Sequence, residues 1–408
     1  MLVELALALI LTKIMDEIFI RKKLPPVVGE ILIGIFFSLA TFLLPPTMHF
    51  AEHKFSLNLD INHPAFDFFA DMGILSLLFL SGMETNLEDF KKSEKSALLT
   101  GIFGVLITFL FGFLFSLYLL NFDIKAATAF GTIYTATSVG VTARTMMDMG
   151  ILHTRVGNTI LAAAVVDDIF GIVLVTVVLS GGEIMEVVIG ITLFFLALYL
   201  VSRYRLIEKM MDWADKFLHI PFGMTSVAFG IMLLLAYFAQ LSKIAPITGA
   251  YFAGLLMGQS RHSRKITMPI RVISSAVFIP IFFVKVGILV DFELISCFDL
   301  LLLAIIPLAF MGKIMGCGLG AKLGGMNARE SLCVGVGMVP EMEVALVIAT
   351  LAYSSGVFGI EMGTAIITTT IIYVMVSSIL TPIILKKLYE RYSGSESPPI
   401  STQDFVEG

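Results

Sequence analysis

The chain has 408 residues, of which 57% are hydrophobic and only 14% charged, with a mean hydropathy of +0.94. A soluble domain carries about 25% charged residues and cannot hide this much apolar surface. The formal charge of -5 decides nothing, because membrane orientation follows where Lys and Arg lie rather than their sum.

Apolar runs near the roughly 20 residues that cross a bilayer as a helix recur along the whole chain. They predict thirteen spans, near 2–20, 26–45, 65–84, 96–120, 124–144, 156–180, 184–202, 222–241, 246–259, 270–290, 298–321, 329–353 and 362–385. The runs do not alternate as barrel strands do, so the expected class is an all-α polytopic membrane protein. The first run contains Glu4, Lys13, Asp16 and Glu17 and lacks the basic start and cleavage site of a signal peptide, so it is read as a retained span. With the N-terminus outside, the cytoplasmic connections hold Arg21–Lys23, Lys91, Lys92, Lys95, Arg144, Arg155, Arg203–Lys216, Arg261–Lys265, Lys322, Arg329 and Lys386–Arg391. The opposite side holds only Lys54, Lys125 and Lys243, a positive-inside pattern with the C-terminus in the cytoplasm.

In chain order, the next signal is an internal repeat. "PVVGEILIG" from Pro26 and "PITGAYFAG" from Pro246 share P-x-x-G-x-x-x-x-G, pairing Gly29 with Gly249 and Gly34 with Gly254. The following span in each half ends alike, at "LFLSGMETNL" around Gly82 and "FFVKVGILVDF" around Gly287. Spans 1–6 and 8–13 then form two inverted six-helix repeats, an architecture that puts a transport site near the midplane. Span five contains "YTATSVGVTAR" and span twelve "GVGMVPEMEVAL". Thr137, Ser138 and Gly140 in one, and Gly335, Gly337 and Pro340 in the other, predict two interrupted helices that cross. Such breaks are tolerated only where the freed backbone is buried in protein or lines a polar cavity.

Asp167 and Asp168 lie in the middle of "LAAAVVDDIFGIVLVTVVL". A charge at a helix centre costs roughly 2.5–3.5 kcal/mol on insertion scales and marks function. Adjacent helix positions differ by roughly 100° in direction, so one aspartate can face a cavity while the other faces a neighbouring helix. Lys313 in "LAFMGKIMGCGLGAK" is the expected counter-ion. A carboxylate with hydroxyl and carbonyl oxygens suits a hard monovalent cation, and the same carboxylate takes protons. If the two ligands exclude each other, moving the loaded site across the membrane exchanges one for the other. An aspartyl protease would need its two aspartates on different helices facing one water. A channel would need a pore ring or filter loop; neither pattern is visible.

The smaller features read simply. "RYRLIEKMMDWADKFLHI", 203–220, is expected as an interfacial helix with Trp213 at headgroup level. Cys297, Cys317 and Cys333 show no metal or disulfide spacing. The six histidines fall in loops or at span ends and are read as solvated. The tail after Leu388 is expected to be disordered and is too short for an attached nucleotide-binding regulatory domain.

Taken together, "ATSVGVTAR", "AAAVVDDIFG", "MGKIMGCGLGA" and "VGVGMVPEMEVAL" resemble the NapA-type sodium/proton antiporters of the monovalent cation/proton antiporter superfamily. "LPPVVGEILIGI" and "LLFLSGMETNL" extend the resemblance over all thirteen spans. It implies an NhaA/NapA-like fold, a homodimer in the cell (inner) membrane, and no cofactor beyond the transported Na⁺ or Li⁺ and H⁺. No nucleic acid is implied as a partner. The implied dimerisation domain comprises 1–95 and 221–295, and the mobile, elevator-like core 96–180 and 296–388. Residues 181–220 would link them, with 389–408 a tail. Asp168 would bind the ion, with Thr137 and Ser138 beside it, and Asp167 would pair with Lys313; the exchange would be electrogenic. A potassium/proton exchanger of the same fold is the alternative. One departure is Pro340-Glu341-Met342-Glu343, where the family commonly has an arginine before the acidic residue. Glu343 matches that acidic position; Lys285 either compensates Glu341 or snorkels outward, since Asp291 marks the span end. Glu30 and Glu84 match family positions and are read as packing or pathway residues.

Overall fold

The structure is a computed structural model that describes residues 2–43, 48–50, 53–55, 64–85, 93–175, 184–290 and 300–393. Helices dominate it. The first three are α1 (Leu2–Arg21), α2 (Pro26–Leu43) and α3 (Pro64–Glu84). Then come α4 (Glu94–Tyr118), α5 (Ile124–Ile133), α6 (Val139–Asp148) and α7 (Arg155–Val175). The middle of the chain forms α8 (Ile184–Arg203), α9 (Leu206–Phe217), α10 (Gly223–Leu241) and α11 (Pro246–Gly258). Next, α12 (Ser263–Ile273) runs through a π turn, Ser274–Phe278, into α13 (Ile279–Ile288). The last are α14 (Ile305–Leu323), α15 (Ala328–Gly337), α16 (Glu343–Ser354) and α17 (Ile360–Ser393).

Each of the thirteen expected spans carries helix, but their lengths differ. Among the described residues, eight helices are long and apolar enough to cross a membrane. Pro246–Gly258 and Val344–Ser354 are apolar but shorter. Two details depart from expectation. Arg264 and Lys265, assigned to a connection, lie in the first turn of α12, and that helix continues through Pro269 with the π turn re-registering the backbone before Pro280. The loop after α2 contains a short antiparallel ladder, Met48–Phe50 with His53–Phe55. The end of the sixth span (176–180), Cys297 and the tail from 394 lie outside the described residues.

Two groups of helices pack around the break regions. In one, α4 lies along α14 and also contacts α5 and α7, while α14 packs on α15. In the other, α3 packs on α11 and α13, α2 on α13 and α1, and α10 on α11. The repeated glycines explain the second group. A Cβ on Gly34 would collide with the backbone of Val284 and Gly287, and one on Gly287 with the backbone of Ile31 and Ile35. A Cβ on Gly254 would meet the backbone of Phe79 and Met83, and one on Gly82 that of Tyr251 and Leu255. The last glycine of each motif copy therefore packs against the span-end glycine region of the other copy. Small residues let membrane helices approach this closely, since apolar side chains gain little from leaving lipid.

The amphipathic α9 buries Ile207, Met211 and Ala214 and leaves Met210, Trp213 and Phe217 exposed. It is tied to the start of α12 by Asp212, which meets Arg261 at 2.7 Å and His262 at 2.8 Å, and by Asp215, 2.9 Å from Lys265. His262 is thus buried at 6% exposure and bonded, not solvated as its loop position suggested, whereas His153 and His219 are exposed. Hydrogen bonds from His262 and Arg261 hold the Asp212 carboxyl below its ordinary range, and a hydrogen bond from Lys265 does the same for Asp215.

Two tests follow from this packing. Gly34→Leu should cost about 1–3 kcal/mol through overpacking and lower the melting temperature of the detergent-solubilised protein. Gly230→Ala, where an added Cβ meets nothing within 4 Å, should change it little. Depressed carboxylates stabilise above their unfolded pKa and lose that contribution as pH falls through the folded value. Fluorescence of Trp213, the chain's single tryptophan, should therefore stay constant from pH 8 to about 5 and change only below about pH 4. In the Asp212→Asn, Asp215→Asn double variant the change should already be present at neutral pH.

Candidate functional site

The site is built where two helices stop halfway. After α5 ends at Ile133, residues 134–138 turn and leave the helix before α6 begins; after α15 ends at Gly337, residues 338–342 do the same before α16. The two breaks satisfy each other's backbone. Ser138 N–H donates to the Pro340 carbonyl at 2.8 Å. The Thr142 hydroxyl donates to Gly337 O at 2.6 Å, and the Thr137 hydroxyl to Met338 O at 3.2 Å. Groups that an unbroken helix would pair internally are thus paired across the crossing, as an apolar interior requires.

Lys313, from the middle of α14, reaches this crossing and is fully buried. Its ammonium donates to the Thr135 carbonyl and the Thr137 hydroxyl, and lies 3.3 Å from Asp167 Oδ1. Asp167, also fully buried, accepts the Thr137 N–H at 2.7 Å on Oδ2. That amide lies just before the N-terminus of α6, where the helix dipole favours an anion. Three elements thus meet on one buried carboxylate: α7 supplies it, α14 the ammonium and the first break an amide.

Asp168 points elsewhere. It is half-buried, and its Oδ2 lies 3.2 Å from the Thr248 hydroxyl on α11. It borders a cavity of about 340 Å³ shared with Asp167, Ala136, Gln240, Lys243 and Val344. The cavity thus lies where the first break, α7 and α16 face the end of α10 and the α10–α11 connection. The two adjacent aspartates separate as helix geometry requires, one facing Lys313 and one the cavity wall.

Other expected site residues fall into different places. Thr137 and Ser138 are committed to the crossing rather than lining the cavity. Lys285 does not meet Glu341; it pairs with Asp67 of α3 at 2.7 Å. Lys285 follows the glycine-mediated α2–α3–α13 packing, so its side chain reaches the aspartate there instead of the crossing. Glu341 is fully buried, and neither of its carboxylate oxygens has a hydrogen-bond partner among the described residues. Glu343 opens α16, and its side chain lies outside the described residues. Glu84 pairs with Arg271 of α12. Glu30 is fully buried where α2 meets α6, in the field of Arg144 and Asp148 on α6 and of Asp16 and Lys13 on α1.

Two contributors escaped sequence reasoning. Thr248 sits inside the repeated "PITG" motif, where the glycines drew attention and a lone hydroxyl carried no positional signal. The buried hydroxyls of α17, from Thr368 to Thr370 and at Ser377, could have been flagged by the "TTT" and "SS" runs. Thr368, Thr369 and Thr370 bond back to carbonyls four residues earlier, so their burial leaves no unpaired hydroxyl. Among the described residues no cluster of three or more metal-ligating side chains occurs, and Cys317 and Cys333 are buried thiols without a disulfide.

A polytopic helical fold with crossing broken helices, a buried Asp–Lys pair and an acidic residue on a cavity wall defines a membrane transporter. The chain belongs to the transmembrane sodium/hydrogen exchanger family, which matches residues 6–390, and is an antiporter rather than an enzyme. It is 30% identical to the Na(+)/H(+)-K(+) antiporter GerN of Bacillus cereus, over 94% of this chain and 95% of that one. It is equally similar to the probable Na(+)/H(+) antiporter GerT of the same organism, over 95% and 98%. Its fold matches that of the sodium proton antiporter MjNhaP1 of Methanocaldococcus jannaschii at a TM-score of 0.70, with 18% identity over 96% and 97% of the two chains.

The crossing yields a direct test. Thr137→Val removes an acceptor of the buried ammonium and the donor to Met338 O, and should cost about 1.5–3 kcal/mol in thermal or denaturant unfolding. Thr128→Val, whose hydroxyl bonds only within its own exposed turn, should stay within about 0.5 kcal/mol.

Proposed function

We propose that this protein exchanges Na⁺ or Li⁺ for H⁺ by competition of cation and proton at Asp168. The observation that carries the reading is the separation of the two aspartates: both line the cavity, but Asp168 is half-buried beside the Thr248 hydroxyl while Asp167 is fully buried and paired with Lys313. A half-buried carboxylate beside a hydroxyl can shed water onto a hard cation or bind a proton, and either ligand neutralises it. The empty, charged form must cross an apolar barrier at high cost, so uncoupled leak is suppressed. Thr248 joins Asp168 as an oxygen ligand candidate from the facing group of helices. Asp167 and Lys313 form the second proton-linked element, which makes the exchange electrogenic.

In this reading the chain is of the NapA type, crosses the inner membrane thirteen times as two inverted repeats, and forms a homodimer through 1–95 and 221–295. The core, 96–180 and 296–388, moves as an elevator past that dimerisation domain. Lys243 lies on the outer side in the positive-inside arrangement, so the cavity it lines is the outward one. Potassium is the second candidate cation, favoured by the K⁺ in the name of the 30% identical Bacillus cereus relative.

The test is proton flux in proteoliposomes on addition of Na⁺, Li⁺ or K⁺. Cation-dependent proton movement is expected, with Asp168→Asn reducing it by at least about 100-fold. Thr248→Val should raise the half-saturating cation concentration more than Thr248→Ser. No cation response at any pH defeats the exchange reading, and a fully active Asp168→Asn variant removes Asp168 from its role.

A further inference from the structure

The crossing contains one ammonium and two carboxylates. Lys313 and Asp167 are paired, but Glu341 is enclosed at 0% exposure with neither carboxylate oxygen hydrogen-bonded among the described residues. Its location is well tied down. Its own N–H meets the Ser377 hydroxyl of α17 at 3.4 Å, and the preceding Pro340 carbonyl accepts from Ser138. The Tyr373 hydroxyl, in the same region, donates to Val339 O at 3.2 Å. Its ring stands edge-on to Tyr134 at 5.5 Å between centroids, which makes an aromatic wall beside the carboxylate. Glu341 and Lys313 act on each other electrostatically, and Glu341 also feels Asp167.

Lys313 has three N–H donors, and its partners are Thr135 O, Thr137 Oγ1 and Asp167. A carboxylate left charged and unpaired in such a place is strongly unfavourable, and two carboxylates cannot both hold one ammonium well. The lysine side chain, by contrast, is flexible and its ammonium is a point charge that can be turned. The break that carries Glu341 is hydrogen-bonded to the break that carries Thr137, and Lys313 acts electrostatically on both carboxyls.

We propose that Lys313 is the shared counter-ion of Asp167 and Glu341, bound to Asp167 in the arrangement described and turning to Glu341 when Asp167 loses its charge. The carboxyl without the ammonium carries the proton. One proton leaves the Glu341 carboxyl and one is gained by Asp167 as Nζ turns, so the trio's total charge is unchanged. No new charge appears in the apolar interior, and the ammonium keeps all its protons. Glu341 is on this account a positioning residue for Lys313. The purpose of the switch rests on the exchange reading above, but its test reads folding and not transport.

The experiment is a double-mutant cycle on the full chain in detergent, with thermal stability as the readout. In Asp167→Asn, Lys313 keeps Glu341; in Glu341→Gln it keeps Asp167; in the double variant it has no carboxylate. The double variant is expected to melt at least about 5 °C lower than the sum of the two single losses predicts. Glu341→Asp in place of the glutamine should show no such coupling to Asp167→Asn. Adding Lys313→Met to the double variant should remove the excess loss, since no unpaired charge remains. Additive single losses overturn the proposal. If the double variant does not survive purification, recovery on adding Lys313→Met supports the switch and failure to recover overturns it.

Discussion

Everything at the centre of this protein depends on keeping one ammonium, Lys313, charged where there is no water. Burying such an ion costs several kcal/mol even after relaxation, and removing its partner from a buried pair typically costs about 3–5 kcal/mol more. The fold meets that demand by interrupting two helices. The break before α6 turns the Thr135 carbonyl and the Thr137 hydroxyl toward Nζ and presents the Thr137 N–H to Asp167. The break before α16 then absorbs the remaining hydrogen-bonding groups of the first. A continuous helix in the first place would bond its backbone groups within itself and leave the lysine with little besides Asp167.

The glycines matter for a related reason. In lipid there is little to gain from pushing apolar side chains together, so helices hold by close backbone approach. Gly34 against Gly287, and Gly254 against the Phe79–Met83 turn, bind α2 to α13 and α11 to α3. That group of helices meets the other through apolar contacts, such as Gly140 of α6 facing Ile74 and Phe282, and through polar ones. Thr248 reaches Asp168, and Glu30 with Asp16 and Lys13 faces Arg144 and Asp148.

Much of this was legible before any coordinates. Glycine spacing, an apolar run with two aspartates and a lysine in a later run are strong signals because the membrane makes each exception expensive. The helix interruptions were legible from Pro340 and from the Thr-Ser-Gly stretch around Gly140, which weaken helices locally. Apart from Asp167 with Lys313, which the resemblance implied, partner assignments were not. Lys285 was a candidate to answer Glu341 because both are unusual charges, yet it pairs with Asp67. His262 looked like a loop residue because its neighbours are polar, yet Asp212, some fifty positions earlier, buries it.

The sequence by itself determined that the chain lives in a bilayer, where helices break, and that Asp167, Asp168 and Lys313 belong to one polar interior. These follow from local rules: hydropathy, helix chemistry and the energetic penalty on lone charges. Tertiary structure alone decided that Thr248 stands opposite Asp168, that Lys285 pairs with Asp67, and that the Glu341 carboxyl oxygens are enclosed without a hydrogen-bond partner among the described residues. Those outcomes depend on the rotation of α7 about its axis and on how two distant breaks cross. Neither quantity is encoded in the residues around the site; both are set by the packing of the whole helical assembly.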